Sequence, residues 1–236
     1  MSPRFRTTSW SLVRQAAHKS TPEGRQALAE LCEAYWYPLY AFVRRQGHDV
    51  EEAADLTQAY FLRLLEKDYL SQVKPEVGRF RSFLLASLKH FLSHELERAK
   101  ALKRGGGLAI VSLDTEEAER RYQPQADHKL TPERLFEKQW AMTILERVID
   151  QLREEFSKAG KSQQFEQFTP YLSGEEPKIP YKLAAEKLDM SEGAVKVGVH
   201  RLRGRFRRML QDEVAVTVST QDQVESEIRH LLSSVS

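Results

Sequence analysis

The stretch YKLAAEKLDMSEGAVKVGVHRLRGRFRRM, residues 181–209, decides the architecture. Leu183, Ala184, Ala185 and Leu188 make a short helix whose small residues suit close contact with another helix. Asp189-Met190 turns the chain, and Ser191 is placed to cap the helix that follows. There Val195, Val199, Leu202, Phe206 and Leu210 recur at helical spacing and form one apolar stripe. Lys196, His200, Arg203 and Arg207 form a second stripe, widened by Arg201, Arg205 and Arg208. Between Lys196 and Arg208 stand six basic residues and no acidic one. A charge run is ordinarily a solvated helix face, but so many uncompensated cations point to a polyanion. A helix packed on one side and cationic on the other is what the major groove of duplex DNA accepts. Arginine reads guanine bidentately, while lysine and further arginines hold phosphates. Gly198 and Gly204 each weaken such a helix by about 1 kcal/mol, which packing has to offset.

Outward from this motif, helical periodicity dominates and strand alternation is nearly absent. The expected fold is all-α: two small helical domains joined by an acidic linker, the C-terminal one carrying the helix-turn-helix. A first helix reads from Thr21-Pro22-Glu23 to about Ala34, and a second from Pro38 to Gln46, stopped by Gly47. A third follows Asp49 and runs to about Asp68, with Ala53, Leu56, Tyr60 and Leu64 on one face. A long helix covers about Phe80 to Leu102, with Phe83, Ser87, Phe91 and His94 roughly aligned, and ends at the glycines 105–107. Thr131-Pro132-Glu133 repeats the first start signal and opens a helix to about Phe156, followed by shorter elements from Ser162 to Leu172. The tail ends in an amphipathic segment with Val224, Ile228, Leu231 and Leu232. The expected divisions are an extension at 1–22, a first domain at 23–104, a linker at 105–132, a second domain at 133–211 and a tail at 212–236. Ile110, Val111 and Leu113 are candidates for local docking within the linker.

The 236 residues suffice for two modest cores. No apolar run approaches the roughly 20 residues of a membrane span, and Met1 to Arg14 lack a signal-peptide core. A cytoplasmic protein with no membrane contact is expected. Cys32 stands alone, which excludes an intrachain disulfide; beside Leu28, Leu31 and Tyr35 it reads as a small buried side chain. Net charge is only +2, so distribution matters more than total. Asp49 to Asp68 holds six acidic and two basic residues, whereas Gly78 to Arg104 holds seven basic and two acidic. Two cationic stretches separated by acidic ones imply two contacts with polyanion.

The segment PYKLAAEKLDMSEGAVKVGVHRLR, residues 180–203, resembles the fourth conserved region of bacterial RNA polymerase sigma factors, of the extracytoplasmic-function group. Upstream, ADLTQAYFLRLL at 54–65 and GRFRSFLLASLKHFL at 78–92 look like that group's second region. The resemblance spans about Glu23 to Leu210 in the expected order. It implies a dissociable subunit of core RNA polymerase that recognises promoters and starts transcription. Ser191, Glu192, Lys196, His200, Arg201, Arg203, Arg205 and Arg207 would contact the upstream promoter element. Arg79, Phe80, Arg81, Lys89, His90 and Arg98 would contact the downstream element where the duplex is melted. Opening a duplex needs cations for the backbone and aromatic faces for unstacked bases, and this helix carries both. Phe83 and Phe91 read more readily as core residues than as such faces. Glu52, Asp55, Gln58, Leu62 and Glu66 would grip the polymerase clamp.

Two departures stand out. The family's acid-rich run at the clamp-binding helix is here Glu52-Ala53-Ala54-Asp55, one carboxylate short at Ala54, and Thr57 replaces an apolar residue. Phosphorylation of Thr57 would add about −1.5 to −2 charges and could restore the lost attraction, so the candidate regulatory partners are a Ser/Thr kinase acting at Thr57 or an anti-sigma factor. The alternative is a threonine at the edge of the core. The segment from Lys161 to Pro177 is also longer than usual.

Two rivals remain. A plain helix-turn-helix regulator explains the C-terminal half without polymerase. An enzyme would need a site, and His90, His94 and Glu95 place two metal ligands one turn apart with no evident third. The glycines at 105–107 lack the Lys-Ser/Thr of a phosphate-binding loop. No catalysis, metal or cofactor is expected of the isolated chain.

Overall fold

Thr21 opens the first helix as its residue type leads one to expect. Its Oγ1 accepts from the Gly24 amide at 2.9 Å, and Pro22 occupies the first helical turn. The computed structural model describes residues 16, 21–66, 79–101, 115–122, 130–172, 179–215, 218 and 222–235. Every regular element among them is helical, so the fold is all-α. In chain order the helices are α1 (Pro22–Arg45), α2 (Val50–Glu66), α3 (Phe80–Ala101), α4 (Thr115–Tyr122), α5 (Pro132–Lys158), α6 (Ser162–Phe168), α7 (Tyr181–Leu188), α8 (Glu192–Ala215) and α9 (Asp222–Val235). A 3-10 turn at Thr169–Tyr171 follows α6. The extension before residue 16, the glycines at 105–107 and the docking candidates Ile110, Val111 and Leu113 lie outside the described residues. Among the described residues no helix is long and apolar enough to cross a membrane.

The chain divides into two units, Met1–Thr143 with Glu213–Ser236, and Ile144–Asp212. In the first unit the expected break before Pro38 does not occur, because α1 runs through it. A proline inside a helix costs about 3 kcal/mol or more through its missing amide hydrogen and ring clash. Here Ala34, Tyr35, Trp36, Tyr37, Leu39, Tyr40, Ala41, Phe42 and Val43 are all buried, so the helix is covered on every side. Burial of that many aromatic and aliphatic groups outweighs one lost hydrogen bond. The helix stops at Gly47, whose φ of 100° is the left-handed conformation glycine adopts without strain. Asp49 Oδ1 then accepts from the Glu52 amide at 2.8 Å and starts α2.

Helices α1 and α2 pack together, and α3 lies against α2. Ala53, Thr57, Tyr60 and Leu64 of α2 face the core with Phe80, Leu84, Leu88, Phe91 and Leu92 of α3. The Tyr60 hydroxyl donates to the Leu84 carbonyl at 3.1 Å. The acidic stretch expected as a linker contains α4, which packs on α1 and α2. Ala118 and Tyr122 are buried, and Glu119 accepts from the Tyr40 hydroxyl at 2.8 Å and from Arg44 Nε and Nη2 at 3.0 and 2.9 Å. Helix α9, read as part of a tail, belongs to this same unit through buried Val224 and Leu231.

The second unit is built on Ile144, Val148 and Leu152 of α5, with Phe165, Phe168 and Tyr171. Helix α7 contributes Ala184 and Ala185, whereas Leu183, grouped with them in the sequence, is 48% exposed and Leu188 half-buried; α8 contributes Val195, Val199, Leu202 and Leu210. Asp189 turns the chain between them with φ 48° and ψ 48°. It is the one non-glycine residue at positive φ among the described residues, and aspartate tolerates that region better than most. The Met190 amide donates back to the Ala185 carbonyl at 3.0 Å, closing α7.

Candidate nucleic-acid interface

Ser191 Oγ accepts from the Ala194 amide at 3.2 Å, so α8 starts where the side chain predicts. With Val195, Val199 and Leu202 buried and Phe206 half-buried, an advance of about 100° per residue sends the cations outward. Ser191, Glu192, Lys196, His200, Arg201, Arg203, Arg205, Arg207 and Arg208 are all exposed. Lys196, His200, Arg203 and Arg207 lie along one edge of this surface, and Arg201, Arg205 and Arg208 along the other. Gly204 stands between the two edges.

These cations differ in how they are held. Arg203 Nε donates to the Tyr171 carbonyl at 2.8 Å. The Tyr171 ring stacks on Tyr181 with centroids 4.7 Å apart and planes 9° from parallel. Lys196 Nζ stands over the Tyr181 ring at 5.7 Å, within reach of a cation–π attraction. The two tyrosines therefore support two cations of α8 that stand seven residues, about two turns, apart. Arg205 is gripped by Glu155 through Nε at 3.1 Å and Nη2 at 2.7 Å, which raises its pKa further. Both partners are roughly half exposed, so the pair contributes at most about 1 kcal/mol and yields readily to a phosphate. Among the described residues Arg201, Arg207 and Arg208 have no hydrogen-bond or ion-pair partner. On the Arg201 side a groove runs beside the helix, with Phe156, Phe168 and Val197 among its lining.

Phe168 decides the local geometry. A Cβ on Gly198 would stand 2.6 Å from two carbons of the Phe168 ring, so glycine lets that ring seat directly on the backbone of α8. Tyr171, Tyr181, Glu155 and Phe168 were not readable as site residues. None has a local signal, because each meets α8 only through the tertiary fold.

The second cationic stretch is arranged differently. Phe80 is buried, edge-on to Tyr35 at 5.6 Å and stacked on Phe83 at 6.0 Å. Arg81, expected to face DNA, is only 3% exposed. Its Nε and Nη2 donate to Glu227 at 2.7 and 3.2 Å, its Nη1 reaches Glu137, and its guanidinium lies 4.7 Å over the Trp140 ring. Arg79 Nε also donates to Glu227, at 2.7 Å. Lys89 and His90 are exposed; Lys89 pairs with Glu133 at 2.6 Å, and His90 meets His94 with ring nitrogens 3.1 Å apart. The Arg98 side chain lies outside the described residues. The expected open basic face is thus closed at its N-terminal end: Phe80 and Arg81 point inward, and Arg79 is tied down. The sequence did carry a trace of this. Glu227 falls on the apolar face of α9, at helical spacing with Val224 and Leu231, and a carboxylate there needs a buried cation.

On α2, Glu52 and Asp55 are exposed and Gln58 and Leu62 half-buried, while the Glu66 side chain lies outside the described residues. Glu52 pairs with His48 at 3.0 Å. Ala54, the position short of a carboxylate, is buried and has no open surface to offer one. Thr57 is fully buried, and its Oγ1 donates to the Ala53 carbonyl at 2.7 Å. That is the environment of a core threonine, and a kinase reaches it only if α2 first opens. Cys32 is half-buried, and burial, followed by the charge of Glu33, pushes its thiol up to about 11. Among the described residues no group of three or more His, Cys, Asp or Glu is placed to hold a metal.

A scan against protein-family models and searches of curated proteins and of solved structures return no match to this chain.

Proposed function

We propose that the chain is a promoter-recognition subunit of bacterial RNA polymerase, of the kind its sequence resembles, with α8 as its contact to duplex DNA. The observation that carries this reading is the exposed cationic surface of α8, from Lys196 to Arg208, set over a buried apolar stripe. A groove-binding helix needs that division of faces: packing fixes its orientation, and the outer cations take phosphates and base edges. The exposed carboxylates Glu51, Glu52 and Asp55 at the start of α2 support a second, acidic contact suited to a basic protein surface. The polymerase partner itself rests on the resemblance of residues 54–65, 78–92 and 180–203 to sigma regions.

One observation favours the rival, a duplex-binding regulator that works without polymerase. Phe80 and Arg81, which a melting role would use, are enclosed. Reconstitution separates the two. Purified chain is mixed with bacterial core polymerase and a pool of genomic fragments, and polymerase binding and new transcripts are measured. The proposal expects a stable complex and transcripts that need the chain, both retained in salt that dissolves non-specific DNA contacts. An Arg207→Ala variant should keep polymerase binding and lose most transcription. Binding to duplex DNA with no binding to core polymerase would establish the regulator instead.

A further inference from the structure

We propose that α9 is a self-held acidic plug, whose Glu227 occupies the guanidiniums of Arg79 and Arg81 that a nucleic-acid backbone would otherwise take. The inference rests on the reading of α3 as a nucleic-acid contact. Glu227 has no exposed surface, yet both of its carboxylate oxygens are held by this arginine pair. Its Oε1 takes Arg81 Nε, and its Oε2 takes both Arg79 Nε and Arg81 Nη2. A carboxylate that bridges two guanidiniums in this way presents the charge and the paired oxygens of a phosphodiester. Glu137 takes the remaining side of Arg81 and pairs with His230 of α9 at 3.0 Å, so the helix is pinned at two successive turns.

The rest of the seat is modest. Val224 and Leu231 are buried, Ile228 is half-buried and Leu232 is 44% exposed. A helix of 14 residues is marginal on its own and forms only where it docks. Buried ion pairs add little net stability once desolvation is counted. A polyanion that pairs with Arg79 and Arg81 thus competes with a short helix that holds the same pair of groups through Glu227. Displacing α9 releases the carboxylate from Arg79, already one-third exposed, and from Arg81 at the start of α3.

The test uses a fluorescein-labelled, mixed-sequence single-stranded oligodeoxynucleotide and fluorescence anisotropy at fixed low salt. Glu227→Gln keeps the shape of α9 but removes the anionic clamp, and should tighten binding by about tenfold as two more phosphates become paired. Glu225→Gln, the same charge change at an exposed site on the same helix, should leave affinity within about twofold. Replacing Arg79 and Arg81 with alanine in the Glu227→Gln chain should abolish the gain. In the unaltered chain, saturating oligonucleotide should strip hydrogen-exchange protection from residues 222–235. Equal affinities for the two glutamine variants, or unchanged α9 protection, would overturn the plug. Failure of the polymerase reading is distinguishable: it appears as loss of core binding by the unaltered chain and does not alter the ratio between the two glutamine variants.

Discussion

A Cβ on Gly198 would press on the Phe168 ring at 2.6 Å, whereas one on Gly204 would meet nothing within 4 Å. Both glycines are legible in the sequence as costs to a helix, but the reason for one lies thirty residues upstream. Gly204→Ala should stabilise the fold by about 0.5–1 kcal/mol, since only backbone entropy changes. Gly198→Ala gains the same propensity, yet overpacking against a buried aromatic ring costs about 1–3 kcal/mol, for a net loss. Urea denaturation of the two variants checks the opposite signs; stabilisation by both would mean that Phe168 moves aside freely. Thr57 shows the same limit of reading at a single position. A helical wheel leaves it between surface and core, and only the packing around α2 settles that it is buried. The cationic and apolar stripes of α8 were legible because they depend on spacing alone.

At the scale of elements, composition misleads where one residue does the docking. Residues 105–132 are acidic and interrupted, the signature of a linker, yet α4 within them is seated by Ala118, Tyr122 and the Glu119 carboxylate. Likewise Pro38 reads as a boundary because local cost is all a sequence shows, whereas the burial around it is collective. Helix starts at Thr21, Asp49, Thr131 and Ser191 were readable because a cap is a local bond. The Glu119 contact makes a prediction whose sign follows from its titration. The hydrogen bonds from Arg44, and next from Tyr40, outweigh burial and hold the Glu119 carboxyl below the usual range. The folded chain therefore binds this proton less readily than the unfolded one. The stabilisation is complete above the unfolded carboxylate value of about 4.3, and is lost as pH falls through the lowered folded value. Glu119→Gln should destabilise by about 1–3 kcal/mol at pH 7. The gap from the unaltered chain should close on acidification below about pH 4. Chemical denaturation across that range checks it, and a gap independent of pH would mean the carboxylate charge contributes nothing.

For the whole molecule, a net charge of +2 says little about binding to nucleic acid, because the relevant quantity is how many cations are uncommitted. The sequence shows each cation's position but not its partner. Arg79, Arg81 and Lys89 are already paired with carboxylates, and so is Arg205. Arg201, Arg207 and Arg208 are not, among the described residues. That inventory predicts unequal contributions to duplex binding. Each phosphate neutralised adds about 0.9 to the slope of log affinity against log salt. Alanine at Arg201, Arg207 or Arg208 should therefore lower the slope by about 0.9 each. Alanine at Arg205 should change it less, because that guanidinium must leave Glu155 before it can take a phosphate. Glu155→Gln, conversely, should tighten duplex binding and make the salt dependence steeper, by releasing Arg205 without moving α8. Titrations of a labelled duplex at several salt concentrations measure all five variants on one scale. If Arg205→Ala costs as much slope as Arg207→Ala, the Glu155 pair imposes no restraint in solution. If none of the four arginine variants alters the slope, α8 is not the surface that meets DNA.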